Sequence, residues 1–267
     1  MDQKIYNKIR EIVYRKSGIT LSEGKVALVR ARLSKRMRVL NLASHKDYLD
    51  FVLNDSSGKE IISMIDAVST NVTSFFREYN HFELLTDFLQ HSLSKGQKRF
   101  RFWSAACSSG EEPYSMAMTI KNVAEKMALD IKILATDIST DILQHAVKGE
   151  YLEERLKGVS DSYRKTFFDK VIIENDTCFK VAPFLRNMVV FKHFNLSKVP
   201  FPMNGPMDII FCRNVMIYFD NIVRQKLIDE FYRLLKPGGY LFIGHAESLS
   251  SIKTDLKSVK PTVYKKE

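Results

Sequence analysis

Apolar residues recur along this chain with two different periods, and the period changes after its first third. Upstream, Ile5, Ile9 and Val13 are spaced as on one face of a helix. Downstream, short apolar runs alternate with helical segments, which is typical of strands in a largely parallel sheet. The pattern predicts an α/β protein with a helical N-terminal domain over residues 1–80 and a sheet-bearing domain over 81–267.

The alternation of strands and helices is interrupted in one segment of the second domain. Two apolar runs, 170–173 and 178–181, flank the pair Asn175 and Asp176. Asn and Asp tolerate the tight backbone of a turn, so we expect two antiparallel strands here. The segment at about 151–186 is therefore predicted to be a small inserted antiparallel β-subdomain.

Turn and capping residues mark the ends of the N-terminal helices. Gly18 is expected to end the first helix, because glycine readily takes the left-handed conformation that follows a last helical turn. Ser44 with Asp47, and Ser57 with Glu60, have the spacing of capping boxes at two further helix starts.

Basic residues outnumber acidic ones. The chain has 41 Lys and Arg against 31 Asp and Glu, a net charge of +10. Such an excess suits nucleic acid, an anionic membrane or an acidic protein surface, and charge alone does not choose among them. Lys25, Arg32 and Arg36 recur on one stripe beside an apolar helix face, where we expect them to be exposed. We interpret the stripe as a binding surface, with a solvated helix flank as the alternative.

The stretch FRFWSAACSSGEEPY at 100–114 has the pattern of a strand, a turn of small residues and the start of a helix. Small residues let the backbone turn sharply and approach a ligand closely. Glu111, Glu112 and Pro113 suit the first turn of the helix that follows. These three features together are typical of the opening of a nucleotide-binding βαβ unit.

The turn differs from the loops that bind phosphates. The sequence has neither G-x-G-x-x-G nor G-x-x-x-x-G-K-S/T at this position. Two carboxylates in their place disfavour an anionic ligand and favour one with positive charge, such as the sulfonium and ammonium of S-adenosylmethionine. The alternative is that Glu111 and Glu112 only complement the helix dipole.

An acid follows the second predicted strand of this domain. The apolar run at 131–136 ends in Asp137. An acid at the tip of the second strand is where such folds bind ribose hydroxyls. Asp137 is therefore a candidate nucleoside-binding residue.

Residues 69–78, STNVTSFFRE, join the two domains. Polar residues capable of capping and hydrogen bonding precede two aromatic residues and an arginine. We interpret the segment as a loop that passes over the ligand. The alternative is a simple helix start with Phe75 and Phe76 in the core.

Near the C-terminus, the apolar run at 240–243 predicts a strand, and 259–264 can supply a last one. His245 and Glu247 lie between them. We expect both to be solvent-facing loop residues.

Three cysteines, Cys107, Cys178 and Cys212, include no C-x-x-C pair, so neither zinc nor a disulfide framework is indicated. The chain contains no run of about 18 apolar residues, and its first residues lack the apolar core of a signal peptide. We expect a cytoplasmic protein with reduced thiols.

Five motifs together resemble one family, the bacterial chemotaxis protein methyltransferases of the CheR type. They are TNVTSFFR at 70–77, WSAACSSGEEPY at 103–114, TDI at 136–138, FCRNVMIYF at 211–219 and LKPGGY at 235–240. Each motif is weak singly, but the set, in this order, is highly specific.

The resemblance implies a Rossmann-like class I methyltransferase sheet, S-adenosylmethionine as methyl donor, and glutamate side chains of chemoreceptor cytoplasmic bundles as acceptors. It implies a monomer that is recruited to membrane-bound receptor arrays, without nucleic acid or membrane insertion. Arg77 would hold the donor or the acceptor carboxylate at the transfer site. The donor-binding residues it implies are Asn71, Thr73, Arg77, Glu111, Asp137, Asn195, Leu196, Arg213 and Asn214.

Methyl transfer to a glutamate needs no catalytic base, and the sequence shows no motif for one. A glutamate carboxylate, with an ordinary pKa of about 4.3, is already ionised at neutral pH and needs no strong general base. No Ser/His/Asp or Cys/His constellation stands out in the sequence. The alternatives are a methyltransferase acting on RNA or a small molecule, and a non-catalytic receptor-binding module.

Overall fold

The N-terminal part of the chain is an all-α bundle in the computed structural model, which describes residues 1–69, 72–124, 127–173 and 176–267. Tyr6, Leu33 and Tyr48 are fully buried in the core of this bundle. Its helices are α1 (Gln3–Ser17), α2 (Val26–Val39), α3 (His45–Asn54) and α4 (Lys59–Val68).

Two of the predicted helix ends are confirmed. Gly18 ends α1 in the left-handed conformation, with φ 74°. At the start of α3, Ser44 Oγ accepts from the Asp47 N–H and Asp47 Oδ2 accepts from the Ser44 N–H, both at 3.1 Å. The Ser44 capping box therefore forms in full.

The capping box predicted at Ser57 is wrong. The N-cap of α4 is Gly58, so Glu60 is the second helical residue and not the third, from which a capping-box acid reaches back. Asp55 accepts from the Glu60 N–H instead (2.8 Å). The side chain of Glu60 therefore takes no part in capping α4 and is available for contacts with other helices.

Glu60 is buried and joins three helices of the bundle. Its carboxylate accepts two hydrogen bonds from Arg36 (2.8 and 2.7 Å) and one from the Tyr48 hydroxyl (2.9 Å). Burial, the Glu60 charge and this hydrogen bond raise the pKa of Tyr48, so it remains a neutral donor. The three side chains form a polar tie between α2, α3 and α4.

The basic stripe on α2 differs from the expected row of exposed side chains. Arg36 is half-buried and committed to Glu60. Arg32 is also half-buried and donates to the two carbonyls at the end of α4 (2.9 and 2.7 Å). Lys25 Nζ lies 5.4 Å from the centre of the Tyr218 ring. The three side chains are less exposed than expected because they face neighbouring elements of the fold. Their role in receptor binding stays a prediction.

The rest of the chain alternates strands and helices, as the apolar runs predict. Across the described residues, every helix is too short or too polar to cross a membrane. The helices are α5 (Asn80–Ser94), α6 (Glu111–Val123), α7 (Thr140–Lys148), α8 (Asp161–Phe167), α9 (Pro183–Arg186) and α10 (Asn221–Leu234). The strands are β1 (Arg99–Ala105), β2 (Asp130–Asp137), β3 (Glu150–Leu152), β4 (Phe168–Ile173), β5 (Asp176–Val181), β6 (Val189–His193), β7 (Met207–Cys212), β8 (Leu235–Ile243), β9 (Lys257–Lys260) and β10 (Val263–Lys265).

Seven strands of the described chain form the main sheet, in the order β6-β2-β1-β7-β8-β10-β9. The first five in this order are parallel, while β10 pairs antiparallel with β8 and β9. Chain order reverses between β1 and β7, and ligands of such sheets bind at the carboxyl ends of the strands beside this switch point. The Rossmann-like α/β fold is confirmed.

Successive residues of β1 pack into the two faces of the sheet. Phe100 and Phe102 stack on one face (ring centres 6.0 Å apart), under α5 and α6. Trp103 points to the other face, where it contacts Phe201 and Phe231, the latter on α10. Helices therefore cover both faces, which fixes the carboxyl end of β1 firmly in the core.

Two strands near the C-terminus differ from their predicted bounds. The strand expected at 240–243 begins earlier, at Leu235, and pairs irregularly with the start of β7. The single strand expected at 259–264 is a short hairpin, β9 and β10, whose turn holds Thr262 at φ 63°.

The predicted inserted antiparallel subdomain is confirmed, and its sheet has a third strand, β3, that the sequence did not indicate, in the order β3-β5-β4. Asn175, half of the predicted turn pair, lies outside the described residues. The Phe75 ring packs on Tyr151 (4.9 Å) and Phe168 (5.5 Å), so the loop before α5 is anchored on this sheet. The domain bounds given above stay predictions.

The helical bundle joins the main sheet domain through backbone and side-chain hydrogen bonds. Ile19 forms an antiparallel bridge with Phe219, and the Thr20 N–H donates to the Tyr218 carbonyl (2.7 Å). Farther along, Ser139 Oγ donates to Asp66 on α4 (2.8 Å). These contacts bring the N-terminal domain to the carboxyl ends of the strands.

The contact between Arg36 and Glu60 predicts that Arg36→Ala destabilises the bundle. Hydrogen bonds to a buried charge are worth about 1.5–3 kcal/mol, so we expect the free energy of unfolding to fall by that order in urea titrations. Arg38→Ala, at an exposed position on the same helix, is the control and should change it by less than about 0.5 kcal/mol. Equal unfolding midpoints for both variants would contradict a stabilising role for Arg36.

Candidate active site

The turn after β1 is held in a conformation that few side chains tolerate. Ala106 and Ser108 have φ of 66° and 49°, and Gly110 has φ 96°. A Cβ on Gly110 would lie 2.9 Å from the Tyr151 hydroxyl. The small residues seen in the sequence are therefore required by the backbone path.

Asp137 joins this turn to the end of β2. It is nearly buried, and its two oxygens accept from the Ser108 N–H (2.8 Å) and the Ser139 N–H (3.0 Å). Burial raises the pKa of Asp137, and the amide donors oppose that shift. A carboxylate has about four lone-pair sites, so Asp137 can accept further hydrogen bonds from a ligand.

The two acids of the turn face different surroundings. Glu111 is fully buried, accepts from Ser109 Oγ (2.6 Å) and pairs with Arg155 from the inserted segment. Glu112 accepts from Ser104 Oγ (2.7 Å) and lines the cleft at the ends of the strands. Glu111 is thus bonded to Ser109 and Arg155 beside the cleft, and its contact with the ligand stays a prediction. Adjacent residues of a helix point about 100° apart, so one of the pair turns away from the cleft.

Arg213, just beyond β7, is the buried cation of the site. Its guanidinium lies 3.2 Å from Glu78 and 3.5 Å from Glu112, and it donates to the Arg77 carbonyl. It also packs over the Phe82 ring, with 5.7 Å to the ring centre. Burial raises the pKa of Glu112, whereas the Arg213 charge opposes this.

Glu78 binds the two loops that follow β7 and β8. One oxygen accepts from Asn214 Nδ2 (3.3 Å) and the His245 N–H (3.1 Å), while the other faces Arg213. Burial would raise the pKa of Glu78, but Arg213 and the hydrogen bonds hold it below its ordinary value. Glu78 is ionised and neutralises part of the Arg213 charge.

Left-handed backbone at residues with side chains is concentrated in this region. Phe76, Glu78 and Asn214 have φ of 54°, 57° and 60°, like Ala106 and Ser108 in the turn. Such conformations cost about 1–3 kcal/mol each and are typical of ligand-binding segments.

The segment before α5 is a loop, and its aromatic residues lie in the core. Phe75 and Phe76 are buried, and α5 begins only at Asn80. The segment is therefore a loop, as first interpreted, and Phe75 and Phe76 lie in the core, as the alternative expected. Thr73 and Arg77 line the cleft, and Arg77 Nη1 donates to the Val72 carbonyl (2.7 Å). The predicted residue Asn71 lies outside the described residues.

Asn195 and Leu196, after β6, also line the cleft. The Asn195 amide donates to the Lys16 carbonyl (2.7 Å), and its oxygen accepts from Ser197. Asn195 therefore ties the N-terminal domain to the wall of the cleft, while Leu196 supplies apolar surface.

The cleft formed by these elements lies at the carboxyl ends of β1, β2 and β7, beside the switch point. It contains about 980 Å³ of space free of protein atoms, part of which is open to solvent. Two buried polar atoms of its lining, Ser108 Oγ and Arg213 Nη1, have no hydrogen-bond partner in the described part of the chain. Arg213 Nη1 faces the Glu112 carboxylate at 3.5 Å. Because buried polar groups are rarely left unpaired, the Ser108 hydroxyl is the better suited of the two to a bound ligand.

Several lining residues were not singled out from the sequence. Tyr218 and Phe219 belong to a motif of the resemblance, but nothing in the sequence indicated that they face the cleft. Ser17 and Ile19 come from the N-terminal domain, and their position depends on the contact between domains. They complete the wall opposite the turn after β1.

Glu247 contradicts the expectation that it faces solvent. It is nearly buried, and its carboxylate accepts backbone hydrogen bonds, whereas His245 is exposed as expected. The partners of Glu247 include amides about thirty residues away, which no local pattern reveals.

Glu78, His81 and His245 bring one potential metal-ligand atom each within 4.8 Å of one another. His81 is buried, and Nε2 lies 2.9 Å from Thr262 Oγ1. Burial and the Arg213 charge lower the pKa of His81 to about 3, so it is neutral. The Arg213 guanidinium beside Glu78 disfavours a further cation at this group.

Comparisons with known proteins agree on one family. The family described as "CheR methyltransferase, SAM binding domain" matches residues 71–265, and "CheR methyltransferase, all-alpha domain" matches residues 4–69. The chain is 38% identical to a chemotaxis protein methyltransferase of Borreliella burgdorferi, over 97% of this chain and 93% of the relative. It is 38% identical to chemotaxis protein methyltransferase 2 of Pseudomonas aeruginosa (97% and 91%) and 37% identical to a chemotaxis protein methyltransferase of Escherichia coli (97% and 89%).

The cleft fits S-adenosylmethionine in charge and hydrogen-bonding capacity. Asp137 and Glu112 line it together with the cations Arg77 and Arg213. Glu78, which is not part of the lining, neutralises part of the Arg213 charge, so the cleft suits a donor whose net charge is positive. The unpartnered Ser108 hydroxyl adds a donor and acceptor.

The geometry predicts that Glu112→Gln weakens S-adenosylmethionine binding more than Glu111→Gln does. Loss of a hydrogen bond to a charged group corresponds to about 10- to 100-fold in affinity, and we expect that range for Glu112→Gln and for Asp137→Ala in calorimetric titrations. Exposed Glu83→Gln is the control. A larger loss for Glu111→Gln than for Glu112→Gln would contradict this prediction and favour Glu111 as the residue that contacts the donor.

Proposed function

This chain belongs to the CheR methyltransferase family, and from that premise we propose that it transfers the methyl group of S-adenosylmethionine to glutamate side chains of chemoreceptors. The single observation that carries the proposal is the cleft at the switch point, which is lined by Asp137, Glu112 and Arg77. The names of the relatives, chemotaxis protein methyltransferases, support the acceptor.

The residues of the cleft suit a reaction that needs positioning more than proton transfer. A glutamate carboxylate is already ionised at neutral pH, so the protein has to align it with the methyl group and remove its water. Arg77 is the proposed group for this, because a guanidinium has five N–H donors in a planar fork. Its Nη1 is fixed by the Val72 carbonyl (2.7 Å), which orients the fork.

The side of the cleft formed by the N-terminal domain is the proposed path of the acceptor. Lys25 lies over the ring of Tyr218, a residue that lines the cleft, and so places a positive charge next to that residue. An acidic receptor surface is attracted by a protein of net charge +10. We propose that this attraction recruits the enzyme from the cytoplasm to membrane-bound receptor arrays.

Transfer to RNA or to a small molecule, and a receptor-binding role without catalysis, are the competing functions. One assay separates them. The purified protein is incubated with tritiated donor and a receptor cytoplasmic fragment, and methyl release by base is measured. Base-labile label on the fragment supports the glutamate ester, and its loss when the acceptor glutamates are changed to alanine confirms the site of transfer. Donor binding without label on the receptor would contradict the proposal.

Arg77→Ala is expected to lower kcat for receptor methylation by about 100-fold, the order of loss caused by misplaced reactants. Arg77→Lys should recover little, because an ammonium cannot reproduce the planar fork. Unchanged thermal unfolding of both variants is the control for folding. Full activity in Arg77→Lys would refute a bidentate role.

The exposed basic residues of α2 are expected to speed receptor association. We choose Lys35→Glu with Arg38→Glu, which spares the pair between Arg36 and Glu60. This variant should raise the KM for receptor about 3- to 10-fold at low salt and flatten its salt dependence, with donor affinity unchanged.

The matched control reverses Lys257 and Lys260, two exposed lysines of β9 at the edge of the sheet. It makes the same change in net charge away from the cleft. An equal rise of the receptor KM in the two double variants would show that only net charge matters. An unchanged receptor KM in the α2 variant would show that this face of α2 is only a solvated flank.

A further inference from the structure

Glu247 lies behind the cleft and does not line it. Its Oε2 accepts from the backbone N–H of Asn214 (2.9 Å) and of Gly244 (2.5 Å), and its Oε1 accepts from that of Met216 (2.8 Å). One nearly buried carboxylate therefore connects the loop after β8, which carries it, to the loop after β7.

The loop that Glu247 holds supplies two residues of the cleft, Arg213 and Asn214. Asn214 has φ 60°, a left-handed conformation that is unfavourable for a residue with a Cβ and persists only where neighbours enforce it. Glu247 binds the backbone amide of this strained residue and also that of Met216, two positions later. It thus fixes the loop on both sides of Val215.

The two loops also touch directly at Gly244. A Cβ at this position would lie 2.8 Å from the backbone nitrogen of Asn214, too close for any real side chain. Glycine at 244 lets the two backbones approach, and the carboxylate of Glu247 then binds both.

We infer that Glu247 is a positioning residue of this methyltransferase, which holds Arg213 and Asn214 in the geometry that binds the donor. The inference rests on the proposed function for its reaction, but it concerns donor binding, which can be measured without the acceptor. Glutamine at this position keeps the shape of the side chain. Its NH₂ group must face a backbone N–H, because all three partners of the carboxylate are donors.

Asp208 is a matched control at the opposite end of β7. It is slightly more buried than Glu247, accepts from the Arg101 N–H (2.7 Å) and also pairs with Lys236. Asp208→Asn thus removes a buried charge that binds backbone and side chain, but far from the cleft. It separates a general loss of stability from a loss of loop geometry.

The experiment measures S-adenosylmethionine affinity by calorimetry for the parent, Glu247→Gln and Asp208→Asn, well below the unfolding temperature of each. We expect the Kd to rise by about 10- to 100-fold in Glu247→Gln, the range that small misplacements cause, and to stay within about twofold in Asp208→Asn. A merely structural role would reduce the number of binding sites per chain and leave the Kd of the remaining sites unchanged. The KM for receptor should be the same in all three.

Gly244→Ala is a second perturbation of the same contact, which keeps the carboxylate and displaces Asn214. It should raise the donor Kd as Glu247→Gln does. An unchanged Kd in either variant, or an equal rise in Asp208→Asn, would overturn the inference. If the parent protein binds the donor but does not methylate the receptor, the proposed function is wrong. The comparison of donor Kd values then still tests the positioning role of Glu247.

Discussion

The cleft depends on a guanidinium that is almost completely removed from water. Arg213 exposes 1% of its side chain and lies between Glu78 and Glu112. Burying a charge is costly unless it is paired and hydrogen-bonded, so these three side chains must be placed together by the fold. They come from three different segments: the loop before α5, the start of α6 and the loop after β7. The two ion pairs of Arg213 therefore hold these three segments together before any ligand binds. Such preorganisation is what electrostatic catalysis requires.

The N-terminal helices take part in the same cleft and are more than an appended domain. The bridge between Ile19 and Phe219, and the hydrogen bond from Asn195 to Lys16, bring the first domain against the carboxyl ends of the strands. Ser17 and Ile19 consequently line the wall opposite the turn after β1. Residues of both domains therefore line one cleft.

The sequence was sufficient wherever a local pattern decides the structure. Buried strands, the small-residue turn and the acid at the tip of β2 are such cases, and Asp137 lies where its position predicts. The sequence was insufficient where the position of a side chain depends on its direction around a helix or on backbone groups far away in the chain. Glu111 and Glu112 are indistinguishable in the sequence, but the first turn of α6 directs the second into the cleft and the first toward Arg155. Glu247 was expected in solvent because its partners are amides of another loop, and Arg36 was expected to be exposed because Glu60 lies on a different helix.

We propose that the network of Arg213, Glu78 and Glu112 shapes the donor site and that Asp137 binds the nucleoside of the donor. A crystal structure of the protein with S-adenosylmethionine or its demethylated product tests it most directly. We expect the ribose hydroxyls within hydrogen-bond distance of Asp137, ligand atoms against Ser108 Oγ and Glu112, and Arg213 still paired with Glu78. A ligand bound against Glu111, or an Arg213 displaced from both carboxylates, would contradict the account.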